Sequence, residues 1–495
     1  MNSINKNKIF YISGAVASVC IPILLFINNI FAEWWLIDDH ELFSFLGTIK
    51  NHYSFADFIS ILLEKTEVGR FAETSRFRPS YFILRLVELY LYGLNPTIFY
   101  VARLIVSILF SVALYLFLYR FLSVFVSLAL VLVVWSYPFW SDVFSRMGPA
   151  EIYGSLGLAF LLFSYSVPGL KIVISSFLRV VGLLILVGAK ENFIIFVLVS
   201  FYELTQLFYY RERKVYFYFF EVLPILYTFY IALSLYGFYS TNSEDIYGNS
   251  TSILDRLNLY SGLLREPNFF VLSFILIVLS TFVVTAKGFL RSYRKIIFLI
   301  FFCSALYVFN FVFYHAKWPT GMRYDFPAVF LVPIMVVLFL NVFLNHYHFS
   351  HKKQILVLLF VSLYWLDLSG LKLNLKSSLE NRRRTVVFST FLNGAVTSFK
   401  ENPDKDIVIR IASAWDYEPY FSLMVFFKYY DLKNRIFLRI DSIPNKTVFE
   451  SQLLDVLSKL ENLNVQPKNN CLVFSFVDLK SRSFCKSQED RIVPW

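Results

Sequence analysis

Charge is what this chain has least of. Asp, Glu, Lys and Arg make up 16% of its 495 residues, against 57% hydrophobic and 20% aromatic residues. Soluble domains carry about 25% charged residues, so an ordinary soluble fold is excluded. Cysteine and histidine are also scarce, and none of them stands at zinc-type spacing, which excludes a structural zinc site. A single basic stripe is missing too. The net charge is +11, but Lys and Arg fall in short clusters between apolar runs, which excludes a nucleic-acid-binding face and points to membrane topology instead. No small-residue cleavage site follows the first apolar run, which therefore reads as a retained anchor and not a signal peptide. The Pro494-Trp495 end shows no GPI, prenyl or retention signal.

What is present is a succession of apolar runs: Tyr11–Phe31, Ile98–Tyr119, Phe121–Trp140, Ile152–Tyr165, Ile172–Val187, Phe193–Tyr210, Val215–Phe238, Phe269–Ala286, Ile296–Tyr314, Pro327–Leu344 and Ile355–Leu368. A spanning helix needs about 20 apolar residues, which predicts an α-helical polytopic membrane protein with about eleven transmembrane helices. The fourth and fifth runs are short for a bilayer and require local thinning. With Lys6 and Lys8 cytoplasmic, every second loop is basic: Arg120, Lys171, Arg211 to Lys214, Lys287 to Lys295, and Lys352-Lys353. The opposite loops carry Asp38-Asp39, Glu73, Arg146 with Glu151, Lys190-Glu191, Ser243 to Asp245, and His315 to Asp325. The basic stretch Lys372 to Arg384 lies on that outer side against the charge rule, from which long translocated domains are largely exempt. Residues 1–370 thus form a membrane domain, and residues 371–495 a small extracytoplasmic α/β domain with the C-terminus outside. In the latter, Thr385–Phe399, Tyr420–Tyr429 and Val448–Leu460 read as helices. Asp406–Ile411, Ile436–Ile440 and Cys471–Phe476 read as strands. Cys471 and Cys485 are either a disulfide or two thiols; spacing does not decide. The sequons at Asn249 and Asn445 fall on the outer side.

Chemistry concentrates in the outer loops. Asp38-Asp39-His40 stands where the first run leaves the lipid, and Leu42, Phe45, Leu46 and Ile49 follow at helical spacing, predicting an amphipathic helix on the membrane surface. Further surface helices are expected over Phe55–Leu63 and Ser80–Tyr92, the latter opened by Pro79 and stopped by Gly93. Asp38 with Glu41 resembles a capping box, which explains one aspartate but not both, nor the return of Arg70, Glu73, Arg76 and Arg78 to the interface. Adjacent side chains on a helix point about 100° apart, so the two aspartates are expected to have different jobs. Lys190-Glu191, with little loop around it, is either a mutual ion pair or a substrate contact. His346, His348 and His351 read as a solvated cytoplasmic loop.

The succession Asp38-Asp39, Arg76-Phe77-Arg78-Pro79, Gly93-Leu94-Asn95-Pro96, Arg146 through Gly154, Lys190-Glu191-Asn192 and Arg323-Tyr324-Asp325-Phe326-Pro327 resembles the integral-membrane glycosyltransferases of the GT-C fold. Size, the extracytoplasmic C-terminus and Lys- and Phe-rich composition resemble their serotype-converting O-antigen glucosyltransferases. The resemblance implies a hexosyltransferase that takes a sugar from a polyprenyl-phosphate donor, at the outer face of a bacterial inner membrane, and gives it to a surface glycan such as O-antigen. Aminoarabinose transfer to lipid A and transfer to protein are alternatives within the class. Glycosyl transfer from a phosphate needs a base at the acceptor oxygen and cations at the leaving phosphate. Asp38 or Asp39 is expected as the catalytic carboxylate, with inversion at the anomeric carbon. Glu73, Arg76, Arg78, Arg146, Glu151, Lys190, Glu191, His315, Lys317, Arg323, Tyr324 and Asp325 are expected around substrate and phosphate. Some relatives use a divalent cation, for which Asp38, Asp39 and Glu191 offer oxygen ligands, but the spacing supports no metal and no other cofactor. A transporter of a lipid-linked saccharide is the competing class. Charges gathered at one face and the lack of an internal repeat argue against it.

Overall fold

The computed structural model describes residues 2–47, 54–167, 171–209, 215–242, 260–286, 288–313, 322–411, 417–440, 471–475, 480–482 and 492–494. Outside them lie His315, Lys317, the Arg211 to Lys214 loop, Lys287, the Ser243 to Asp245 loop, the Val448–Leu460 helix, Cys485 and both sequons.

Among the described residues, eight helices are long and apolar enough to cross a membrane: Phe10–Phe31, Pro96–Tyr119, Ile172–Ala189, Glu191–Tyr209, Phe217–Thr241, Pro267–Thr285, Phe289–Asn310 and Ala328–His346. The chain is a multi-pass membrane protein. The three other predicted runs are helical but do not meet that measure singly. Val124–Ser136 has 13 residues and stops short of Pro138, since the residue before a proline avoids helical geometry. Glu151–Ser166 has 16. His351–Tyr364 runs into Leu368–Glu401 with a 56° bend, and together they make a ninth candidate.

Small residues bring the helices together where the site is built. Glu151–Ser166 and Ile172–Ala189 touch at Gly157 and Gly182, where a Cβ on either glycine would stand 2.7 Å from the other's carbonyl oxygen. Only glycine permits that approach. The contact leaves Glu151, in the first turn of one helix, beside Lys190, at the C-cap of the other. Each charge has the sign its helix end favours. Near the opposite end of the bundle, Arg179 donates to Glu221 Oε1 from Nε at 2.8 Å and stands 3.7 Å from Glu203, which accepts from Tyr165 at 2.6 Å. Charge at membrane depth is costly unless paired, and this network ties four helices.

The segments between the first and second spans, and those after the last, fold back over the bundle. His40–Leu46 is shorter than predicted, and it is buried instead of lying against lipid. Phe43 packs on Phe426 and Tyr429 of the C-terminal region, at ring-centroid distances of 4.6 and 5.0 Å. Phe55–Glu64 carries a capping box of Ser54 and Asp57. Pro79–Tyr92 has Pro79 in its first turn and ends at Gly93, whose φ of +58° suits a residue without Cβ. Leu368–Glu401 is continuous over 34 residues and lies across the bundle, with Asn374 donating to the Trp135 and Tyr137 carbonyls at 2.9 and 3.0 Å.

The C-terminal region is a five-stranded sheet: β1 (Asp406–Ile411), β2 (Ile436–Ile440), β3 (Cys471–Ser475), β4 (Lys480–Arg482) and β5 (Ile492–Pro494), in the order β4-β3-β1-β2-β5. β1 is parallel to β2 and β3, and the edge strands run antiparallel. The helix Tyr417–Tyr429 makes the crossover from β1 to β2 and packs on His40–Leu46, so the sheet stands at the Asp38 end of the bundle. Cys471 is disulfide-bonded, whereas Cys20 and Cys303 are free thiols.

Candidate active site

Asp38 and Asp39 separate on leaving the first span. Asp38 takes φ +72°, a left-handed conformation uncommon for a side-chain-bearing residue, at which backbone strain marks functional sites. The helix begins only at His40 with Asp39 as its N-cap, and no side chain caps it. Glu41 therefore sits one position too early for a capping box, and the reading of Asp38 as a cap is corrected. Asp39 is 1% exposed and accepts the Trp35 N–H at 2.7 Å. The Asp38 side chain is 27% exposed and points at guanidinium groups: Arg146 Nη2 at 2.6 Å and Arg323 Nη1 at 4.0 Å. Asp142 completes a four-membered set, 3.0 Å from Arg146 Nη1 and 3.9 Å from Arg323 Nε.

The two carboxyls differ electrostatically. Burial alone would raise both. At Asp38 the nearby Arg146, Arg323 and Arg85 outweigh it and hold the carboxyl below its ordinary value. At Asp39 burial wins and pushes the carboxyl up to about 7. The raised group binds its proton more tightly folded than unfolded, so its contribution to stability is full below pH about 4 and is lost as pH rises through about 7. Wild-type thermal stability should therefore fall from pH 5 to pH 8 more than that of Asp39→Asn; parallel melting curves across that window would contradict this.

Buried cations frame the Asp38 loop. Arg85, 0% exposed, donates to the Met147 carbonyl at 2.5 Å and the Asp38 carbonyl at 3.2 Å, and faces Glu41 at 3.5 Å. Arg103 pairs with Glu88 through both guanidinium arms and reaches the same Met147 carbonyl at 3.3 Å. Two guanidinium groups on one carbonyl thus fix the backbone beside Arg146. Gly148 closes the frame: a Cβ there would stand 2.1 Å from Asp38 Cβ. Gly148→Ala should displace the carboxylate and cost about 100-fold in activity, as a misplacement near 1 Å can, in a protein that still purifies monodisperse; unchanged turnover would contradict the geometry.

A second group adjoins the first. Lys190 pairs with Glu151, not with its neighbour Glu191, and its Nζ lies 4.5 Å above the Tyr324 ring. Arg323 Cζ lies 5.5 Å from that ring's centroid, linking the two groups. Asn310, which accepts from Asn192 at 2.5 Å, donates to the Tyr324 carbonyl at 3.3 Å and pins this segment. Asp325 is buried behind it. Glu191 faces Arg78 at 3.8 Å, while Arg78 is held by both Glu67 oxygens at 2.6 and 3.1 Å. Arg78 thus forms a separate corner of the site. Arg76 is half-buried, and the exposed Glu73 joins no ion pair of the described residues. The carboxylates of Asp38, Asp39 and Glu191 face different partners, and no metal-binding group of three His, Cys, Asp or Glu occurs among the described residues.

Below this site lies an apolar cavity of about 600 Å³. Pro327, Phe330 and Phe196 in its wall belong to the segments that carry Arg323–Asp325 and Glu191; Arg120, Arg294 and Lys295 line its far end.

A solved structure is similar to this chain. It is the crystal structure of ArnT from Cupriavidus metallidurans bound to undecaprenyl phosphate, at 10% sequence identity and a TM-score of 0.44, covering 98% of this chain and 97% of that one. No family model matches the sequence, and no curated protein matches it.

Sequence reading missed Arg85, Glu88, Arg103, Asp142 and Arg179. A signal existed for four of them: each is an ionisable residue inside an otherwise apolar helix or run, where such residues are functional by default. Asp142 gave none, sitting on the five-residue helix Trp140–Phe144 inside what read as loop.

Proposed function

We propose that this protein is a GT-C-type glycosyltransferase of the bacterial inner membrane, moving a sugar from a polyprenyl-phosphate donor to a glycan acceptor at the outer face. One observation carries the reading: an ionised, part-exposed carboxylate, Asp38, is shared by two guanidinium groups, and the segments next to Arg323–Asp325 and Glu191 wall an apolar cavity whose size suits a ligand. The donor's isoprenoid chain occupies the cavity, and its phosphate lies against Arg323, Arg146 and Lys190. Asp38 accepts the proton of the acceptor hydroxyl as that oxygen bonds to the anomeric carbon. The bond from that carbon to the phosphate oxygen breaks, and polyprenyl phosphate leaves with the bonding pair.

The guanidinium groups that keep Asp38 ionised also make it a weak base. Donor phosphate relieves this by drawing Arg146 and Arg323 toward itself, so that proton affinity at Asp38 rises when the donor is bound. Direct attack by one acceptor oxygen inverts the anomeric centre. The resemblance in sequence supports a hexose as the sugar and O-antigen as the acceptor.

Undecaprenyl phosphate carrying a diazirine on its tail should label the cavity helices, Phe289–Asn310 and Ala328–His346, with competition by the unmodified lipid. Labelling confined to the outer surface of the bundle would refute the donor site. NMR of the product should show inversion; retention would refute direct attack.

A further inference from the structure

Arg384 belongs to a run of three arginines on Leu368–Glu401 that the proposed reaction leaves unused. Arg383 is satisfied in solvent by Glu380 at 2.7 Å. Arg384 differs. Its guanidinium donates to Asn381 Oδ1 from Nη2 at 3.1 Å and from Nε at 3.3 Å, and reaches the Ser145 carbonyl at 3.5 Å. It also stands over the Trp35 ring, 5.0 Å from the centroid. All of these partners are neutral, and no carboxylate of the described residues pairs with it. Its position is nonetheless fixed, because Asn381 is buried and donates to Asn29 and Tyr100 at 3.0 and 3.2 Å.

Ser145 precedes Arg146, so Arg384 is a third guanidinium at this site. Burial and the neighbouring Arg146 work against its charge and outweigh Tyr100, Asp39 and Glu380, which favour it. Asp38 and Asp142 are already shared between Arg146 and Arg323, so Arg384 is left without a direct carboxylate partner, with Asp39 and Glu380 acting on it only at longer range. Nε and Nη2 are taken by Asn381 and Ser145, while the Nη1 arm of this half-buried guanidinium makes no hydrogen bond among the described residues and remains to hold an oxyanion.

Its place indicates whose oxyanion. The residues around Arg384, namely Trp35, Ser145 and Asn381, do not line the apolar cavity, whereas the segments bearing Arg323 and Glu191 do. Arg384 approaches Arg146 through Ser145, from the Leu368–Glu401 helix, which contributes no residue to the cavity wall. We propose that Arg384 recognises an anionic group, phosphate or carboxylate, on the acceptor saccharide and so selects a negatively charged acceptor. This rests on the donor reading given above.

The test is saturation-transfer NMR on the full protein in nanodiscs, with glucose 6-phosphate, glucuronate and glucose as probes. Either anionic sugar, or both, should give a signal about tenfold above glucose, as a charge-assisted hydrogen bond allows; which of them does so separates phosphate from carboxylate. The signal should vanish in Arg384→Gln and partly return in Arg384→Lys, while radiolabelled undecaprenyl phosphate binds both variants within about twofold of wild type, as expected for separate sites. Equal signals from glucose, or undiminished anionic-sugar binding by Arg384→Gln, would overturn the proposal. So would a tenfold loss of undecaprenyl phosphate binding in Arg384→Gln, about 1.4 kcal/mol, which would place the residue on the donor. Failure of wild type to bind undecaprenyl phosphate while the anionic sugars still bind overturns the donor reading alone.

Discussion

Asp38→Asn should lower the transfer rate by 100- to 10,000-fold, roughly what general-base catalysis supplies, while Asp39→Asn stays within about threefold of wild type, its acceptor oxygen still able to take the Trp35 N–H. The contrast follows from placement: Asp38 is the part-exposed carboxylate facing two cations, and Asp39 is the buried one facing backbone. The pH profiles should divide the same way. kcat/KM reports the free enzyme, in which Asp38 is held below 3.8, so its acid limb should lie below that value. kcat reports the donor complex, and its acid limb should lie higher, because bound phosphate competes for Arg146 and Arg323. Superimposable limbs would show that the donor does not engage those guanidinium groups. Wild-type activity in Asp38→Asn would remove it as the base.

Arg323→Gln should cost about 100- to 1,000-fold in kcat, the scale of losing one donor to a developing oxyanion, measured as single-turnover release of polyprenyl phosphate. Arg323→Lys should recover only part of this, since an ammonium cannot bridge Asp38, Asp142 and a phosphate as a planar fork does. A loss confined to KM would instead mean that Arg323 holds the donor equally in ground and transition states.

The helical skeleton was readable in the sequence because bilayer length and apolarity are local properties: each of the eleven apolar runs contains a helix of the described residues. The helix Pro79–Tyr92 was equally legible, since a first-turn proline and a terminal glycine act within a few residues. The site was legible only as a set of segments. Lys190 pairs with Glu151 and not Glu191 because the backbone at Lys190 is extended, φ −159° and ψ 145°, which sends consecutive side chains to opposite sides. The capping box on Asp38 failed for a related reason. A residue at φ +72° lies outside the helix, so the cap moved one residue on, to Asp39. Arg85 and Arg103 meet at one carbonyl, Met147, from helices with no periodicity in common. Such convergence is a property of packing and has no trace in spacing.

The central claim is transfer, and it is tested most directly in liposomes containing the purified protein, a polyprenyl-phosphate hexose labelled in the sugar, and a lipid-linked glycan acceptor. The label is expected on the acceptor, with polyprenyl phosphate accumulating in equal amount and both signals absent in Asp38→Asn. Label that crosses the bilayer still attached to its lipid, with no product on the acceptor, would contradict an enzyme and describe a transporter.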